Sequence, residues 1–297
     1  MGCGGWGRHI LRDLRSLGCD VPVVVRSQAS VGRARDGGAT EIVESLDRLG
    51  EVQGVVIATP EPMHAAHIEE ALALGVPVFC EKPLTVDPSS AARIASEAPG
   101  RIFVMDKWRY HPGVEALRDL VLSQEIGAAV SLRCTRLGWG VAHHTSDSIW
   151  HLVPHDIAIS LEILGSLLKP RAAVAELVDG HVHGLRGVLG HAPWVAIDAS
   201  SAHPIRRREI VLVCEGGVAS LLSPSASEIG IADTIGGKTE MRRVGDELPL
   251  LRELRAFVEH LKGGPPPRSS AADGASIVAA VGRLRELAGL SPASAET

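Results

Sequence analysis

Aromatic side chains are scarce in this chain. Of its 297 residues one is tyrosine, three are phenylalanine and five are tryptophan. The interior must therefore be built mainly from Ala, Val, Leu and Ile, and the 45% hydrophobic composition can supply it. Lysine is scarce too: Lys82, Lys107, Lys169, Lys238 and Lys262 are the only ones, and every other basic residue among the 30 is arginine. A lysine at a strand end can lower its pKa and donate a hydrogen bond, whereas arginine can do only the second. Excess positive charge is missing. The net charge of −5 and a pI near 6.2 give no support for nucleic-acid binding. The five cysteines are odd in number and scattered, with no pair at zinc or redox spacing. They read as buried thiols of a reducing, cytoplasmic compartment. No apolar run is long enough to cross a bilayer, no signal peptide opens the chain, and no internal repeat is visible.

What is present is an alternation of strand and helix signals over the first hundred residues. Gly2 to Gly7 opens an amphipathic helix with Ile10, Leu11, Leu14 and Leu17 on one face. Val21–Val25 and Gly54–Ala58 read as buried strands, Pro62–Leu74 as a helix, Pro88–Ala98 as another, and Arg101–Met105 as a further strand. This rhythm predicts a parallel, doubly wound sheet. It changes after Asp106. A helix over Gly113–Ser123, a β stretch over Ala129–Leu137 and a helix over Pro154–Leu164 come next. The β runs Ala172–Val178, Trp194–Ser200, Glu209–Val213 and Val218–Leu222 follow, then helices over Pro249–Lys262 and Asp273–Leu287. Clustered strands with few crossover helices predict an α+β domain with an open, mainly antiparallel sheet. The division is expected at 1–106 and 107–297.

Two motifs carry chemistry in the first part. Gly2-x-Gly4-x-x-Gly7, with Gly5 and Trp6 inside it, fits a dinucleotide fingerprint. The glycines allow a tight turn, and the backbone then approaches a pyrophosphate at a helix N-terminus. Only Met1 precedes the turn, where a buried central strand is expected, so the first strand is read as missing through a start placed too far downstream or a truncated chain. Just past the second strand stand Arg26 and Ser27, with Arg33 and Arg35 behind them. A guanidinium and a hydroxyl suit a 2′-phosphate, which predicts NADP in preference to NAD. The second motif, Glu81-Lys82-Pro83, closes the apolar run Val76–Cys80. The ligand crevice of an open α/β sheet lies beyond the carboxyl ends of its strands. The Lys82–Pro83 bond is a candidate cis peptide.

These motifs resemble the Gfo/Idh/MocA family of nicotinamide-dependent oxidoreductases. The likeness runs along nearly the whole chain: the Gly-rich turn, Ala58-Thr59-Pro60, His64, Gly75-Val76-Pro77, Glu81-Lys82-Pro83, Arg109-Tyr110-His111-Pro112 and Trp150-His151-Leu152-Val153-Pro154-His155-Asp156. The resemblance implies a Rossmann domain followed by an α/β domain with an open sheet. It implies activity on a sugar, inositol, nucleotide-sugar or related carbonyl compound, and assembly as a homodimer or homotetramer through that sheet. It places Gly2, Gly4, Gly5, Trp6, Gly7, Arg26, Ser27, Ala58, Thr59, Pro60, His64, Glu81, Lys82 and Arg109 at the cofactor. It also implies that Lys82 polarises the reacting oxygen or holds its proton, with His155 as the proton-transfer partner from the other lobe; imidazole titrates close to working pH.

One departure stands beside His155. Many members carry an aspartate four residues earlier, where this chain has His151. The change removes a negative charge and suits a different substrate, an anionic one among the options, with Asp147 or Asp156 as substitute acids. His143, His144, His151 and His155 also raise a metal reading. It is not adopted, because no glutamate lies between the pair and no cysteine is close. A non-catalytic binding protein on the same fold, and an enzyme using held cofactor for a redox-neutral reaction, are the alternatives to a dehydrogenase.

Overall fold

The computed structural model describes residues 1–25, 27–140, 146–234 and 237–293. Contacts divide the chain into two units: 1–85 with 89–107 and 248–275, and 86–88 with 108–247 and 276–297.

The first unit runs α1 (Gly7–Ser16), β1 (Pro22–Val24), α2 (Gln28–Asp36), β2 (Glu41–Val43), β3 (Val55–Ile57), α3 (His64–Leu72), β4 (Val78–Glu81), α4 (Pro88–Glu97, begun by the second unit's Pro88) and β5 (Ile102–Met105). Its strands are short and pair with one another in parallel: β1 with β2, and β4 with β3 and β5. Met1 and Gly2 lie between these two sheets. Gly2 N–H donates to Val24 O at 2.9 Å, and Ala58 N–H donates to Met1 O at 2.8 Å. The spatial order is therefore β2, β1, Met1–Gly2, β3, β4, β5, and it reverses beside Gly2, the place where doubly wound sheets open a ligand crevice. The slot expected from a missing first strand is bridged by these two residues.

The aromatic shortage is met by concentration. Phe79 of β4, Phe103 of β5 and Phe257 sit in one buried cluster with Ile10, Leu14, Leu250 and Leu254. The Phe79 and Phe257 rings stack at 4.8 Å.

The second unit supplies α5 (Pro112–Ser123), β6 (Ala129–Trp139), α6 (Ser148–Leu164), β7 (Pro170–Val178), β8 (His181–Gly190), β9 (Trp194–Ser200), β10 (Ala202–Cys214), β11 (Gly217–Leu221), β12 (Glu228–Ala232) and β13 (Glu240–Arg243). α7 (Pro249–Leu261) then returns to the first unit, and α8 (Ala271–Leu287) ends in the second. The eight strands form one open sheet in the order β13-β12-β11-β10-β6-β9-β8-β7. β6 pairs with β9 in parallel and the other pairings are antiparallel. The class is α/β with a mainly antiparallel second sheet, as the sequence predicts.

The sequence did not predict α2, β2, β8, β12 or β13, and β10 begins at Ala202, not Glu209. β8 carries glycines at 184, 187 and 190, which mask its alternation, yet it pairs on both sides. α6 starts at Ser148, not Pro154, because the Asp147 carboxylate accepts from the N–H groups of Ile149 (3.0 Å) and Trp150 (3.4 Å). A capped helix start of this kind offsets the hydrogen bond that Pro154 removes inside the helix. The five cysteines are free thiols. Among the described residues no helix is long and apolar enough to cross a membrane.

Candidate functional site

The glycine turn shows what each glycine is for. Gly2 has φ +84°, and a Cβ there would stand 2.7 Å from Ala58 O. A Cβ on Gly7 would stand 2.8 Å from Gly2 O, so the start of α1 is pressed onto the turn. Gly4 and Gly5 face open space, with nothing within 4 Å of a Cβ. Two tight glycines thus hold the turn closed around two open ones, directly before a helix whose first turn carries no acid. Free N–H groups and the helix dipole favour an anion there. The residues present fit the diphosphate of a dinucleotide.

The end of β4 is tied to the same turn. Trp6 Nε1–H donates to Glu81 Oε1, and the Lys82 N–H donates to Glu81 Oε2 at 3.1 Å. The Lys107 ammonium lies 4.2 Å from the Trp6 ring centroid. Burial raises the Glu81 pKa, against the pull of Lys82, the Trp6 hydrogen bond and Lys107. The Lys82–Pro83 peptide is cis. Thr59 and Pro60 follow β3; Thr59 Oγ1 bonds His67 Nδ1 at 2.9 Å. His64 is fully buried, and its ring bridges Pro83 O (2.8 Å) and Thr59 O (3.0 Å). It joins the ends of β3 and β4 from behind. Burial lowers its pKa even though both carbonyls favour the charged ring. Deeper still, Glu253 of α7 is 1% exposed, and its Oε2 has no hydrogen-bond partner among the described residues. Burial, then Glu81 and Asp106, raises its pKa well above the usual carboxylate value.

Ser27 caps α2, accepting from Ser30 N–H at 3.3 Å. Arg26 lies outside the described residues, as do His143 and His144. Arg33 bonds Cys3 O at 2.8 Å and Ser30 Oγ at 3.2 Å, so its guanidinium braces the glycine turn.

In the second unit the earlier start of α6 places His151 and His155 one turn apart on one helix, about 6 Å along its axis. Arginines hold the other sides of this helix. Arg285 of α8 bonds Asp147 Oδ2 at 2.5 Å. Arg136 of β6 bonds Asp156 Oδ1 through Nε (2.9 Å) and Nη2 (2.8 Å). Arg109 and Arg118 bond the two oxygens of Glu162, at 2.9 and 2.6 Å. Arg109, expected at the cofactor, therefore has its guanidinium on α6. Burial raises the Asp156 pKa against the pull of Arg136. Burial, then Arg136, pushes nearby Arg208 down to about 10. Of the two acids named as substitutes, Asp147 caps the helix and pairs with Arg285, and Asp156 is buried against Arg136.

Over Ser148–Asp156 the positions that are not buried are Ser148, His151, Leu152 and His155, at i, i+3, i+4 and i+7. They make one accessible stripe on a helix otherwise clamped. His151 Nε2 bonds Ser146 Oγ at 3.0 Å. Ser148 was not singled out by the sequence reading. Placing the helix start at the Asp147 cap would have found it, since Ser148 is then in phase with both histidines.

Residues 2–101 match the model of the GFO_IDH_MocA oxidoreductase family, NAD-binding Rossmann fold. The chain is 29% identical over 311 residues to an inositol 2-dehydrogenase of Burkholderia vietnamiensis, covering 94% of this chain and 90% of the relative. An inositol 2-dehydrogenase of Streptomyces avermitilis is 29% identical over 317 residues, covering 95% and 89%. Among solved structures, a levoglucosan dehydrogenase in complex with NADH and levoglucosan shares the fold at TM-score 0.85, with 16% identity and 97% and 95% coverage. A UDP-N-acetylglucosamine 3-dehydrogenase from Acidithiobacillus ferrooxidans does so at TM-score 0.84, with 22% identity and 96% and 95% coverage.

Proposed function

We propose that this chain, whose residues 2–101 match the GFO_IDH_MocA oxidoreductase family model with its NAD-binding Rossmann fold, is a dehydrogenase or reductase acting on one CH–OH or carbonyl carbon of an inositol- or sugar-like polyol. The observation that carries this reading is the glycine turn, where Gly4 and Gly5 stand open between the tightly packed Gly2 and Gly7 at the start of α1. The curated relatives named as inositol dehydrogenases support the polyol class. When bound, the nicotinamide dinucleotide supplies the hydride acceptor or donor.

The chain's own residues handle position and protons. Backbone N–H groups around Gly4 and Gly5 receive the diphosphate. Trp6, held by Glu81 and stacked under Lys107, fixes the turn against the end of β4. Lys82, aimed by the turn that Pro83 makes, holds the substrate oxygen and favours its negative charge as the proton leaves. His155 takes that proton in oxidation and returns it in reduction, and an imidazole does both near neutral pH. His151, bonded to Ser146, borders that exchange. Arg26 and Ser27 give the cofactor site its preference for NADP, and a homo-oligomer forms through the open sheet. That sheet leaves Val174, Ile205 and Met241 exposed.

Dissociation constants for NADP and NAD, followed by turnover on a panel of inositols and sugars, test the reading. Binding of neither dinucleotide would end it. Tighter binding of NAD would remove the NADP preference alone. Redox-neutral turnover without free cofactor would replace the dehydrogenase reaction with a transient oxidation.

A further inference from the structure

The α6 stripe that bears His151 and His155 does not stop at them. Ser148 lies on the same stripe, about 4.5 Å along the axis from His151 and about 10 Å from His155. Its Oγ bonds Ser201 Oγ at 2.7 Å. Ser201 follows β9, and its hydroxyl bonds His183 O at 3.0 Å and His183 Nδ1 at 3.2 Å. All three residues are partly exposed. Three polar side chains from a helix, a strand end and a neighbouring strand therefore meet at one end of the histidine stripe.

The hydrogens can be counted. A serine hydroxyl has one hydrogen and two lone pairs. Ser201 donates its hydrogen to His183 O, where the Ser201 N–H also lands at 2.8 Å. Ser148 must then be the donor to Ser201, and His183 Nδ1–H fills the second Ser201 lone pair. The tautomer is assigned by these bonds. Two acceptors remain without a partner among the described residues: the Ser148 oxygen and His183 Nε2. A phosphate or carboxylate, which brings only acceptors, finds no donor there. A hydroxyl group does find its complement.

We propose that Ser148, Ser201 and His183 form a hydroxyl-recognising subsite, which selects neutral polyols by a hydroxyl remote from the reacting carbon. The inference rests on the polyol reading of the site and names what that site reads. His151 in place of an acid is then compatible with a neutral substrate, since recognition comes from neutral acceptors one turn away. Ser201 orients the other two groups, while Ser148 and His183 meet the substrate.

The test uses the full chain with NAD and NADP, and myo-inositol, D-glucose and levoglucosan as probes. Ser148→Ala and Ser201→Ala should raise KM roughly five- to tenfold for each polyol turned over, the worth of one neutral hydrogen bond. The cofactor dissociation constant should stay at the wild-type value, and Ser148→Thr, which keeps the hydroxyl, should restore KM. Unfolding midpoints are measured beside each variant. If Ser201→Ala fails to fold, Ser148→Ala and His183→Gln carry the measurement. Unchanged KM in these variants, a fall in kcat alone, or no restoration by Ser148→Thr overturns the subsite while leaving the dehydrogenase reading intact. A wild-type protein that binds the dinucleotide but accepts no polyol overturns the polyol reading and the subsite together.

Discussion

Gly4 and Gly5 face open space at the start of α1, whereas Asp147, Asp156 and Glu162 each grip an arginine along α6. These are two ways of fixing a site. In the parallel unit, position is set by backbone packed so closely that a methyl group would not fit at Gly2 or Gly7. In the other unit it is set by charge pairs that clamp a helix from three directions and leave one stripe accessible. The first device should fail through geometry and the second through uncompensated charge. Substitutions in the two units should therefore show different signatures.

The largest effect concerns chemistry. Lys82→Ala should lower kcat by about 10²–10⁴, the usual worth of a positioned acid–base group, with the unfolding midpoint little changed. If Lys82 and His155 act in one step, Lys82→Ala and His155→Ala should be far from additive in kcat, and additive losses would separate their roles.

Next come the clamps. Arg136→Met leaves Asp156 buried and unpaired, and should cost about 3–5 kcal/mol in denaturant unfolding. The double variant Arg136→Met, Asp156→Leu should recover most of that loss. Arg207→Ala removes a partner from the exposed Arg207–Glu209 pair and should leave the unfolding midpoint where it is.

The glycines sharpen the contrast. Gly2→Ala should cost at least about 1–2 kcal/mol, because its backbone is left-handed and Ala58 O blocks the new carbon. Gly4→Ala should stay within about 0.5 kcal/mol of wild type in stability. It should still weaken dinucleotide binding roughly tenfold or more, since its methyl group occupies the space left for the ligand. Equal effects on binding and stability at both positions would break the division of labour between tight and open glycines.

The last effect is a pH dependence. An unfolded glutamate titrates near about 4.3. Burial, then Glu81 and Asp106, raises the folded Glu253 pKa well above that. The native state keeps a proton that the unfolded chain releases. The stability this gives is complete below the unfolded pKa and is lost as pH rises through the folded one. Glu253→Gln, which cannot release that proton, should flatten the fall in unfolding free energy as pH rises above the unfolded pKa. A wild-type curve that already rises between pH 5 and 8 would contradict the assignment.

Much of the fold could be read without coordinates. Strand–helix alternation marked the parallel sheet, and the clustering of β runs marked the open one. β8 escaped because its glycines carry no side chain to alternate, and only its neighbours on both sides define it. The start of α6 escaped because Pro154 looks like a first-turn residue until the Asp147 cap is seen. The glycine turn and Glu81-Lys82-Pro83 were legible because each depends on local spacing. The arginine clamps, the buried Glu253 and the Ser148–Ser201–His183 cluster were not, since their partners lie up to 138 residues apart in the chain.

The sequence by itself determined the alternating architecture, the open glycines and the lysine at a strand end, because short-range sterics and hydrophobic period act within a few residues. Only the tertiary structure decided which acids are committed to arginines, which face of α6 stays accessible and which serine joins the histidines on it. Those outcomes depend on burial and on the pairing of polar groups across the chain, and a buried carboxylate takes the partner that packing brings to it.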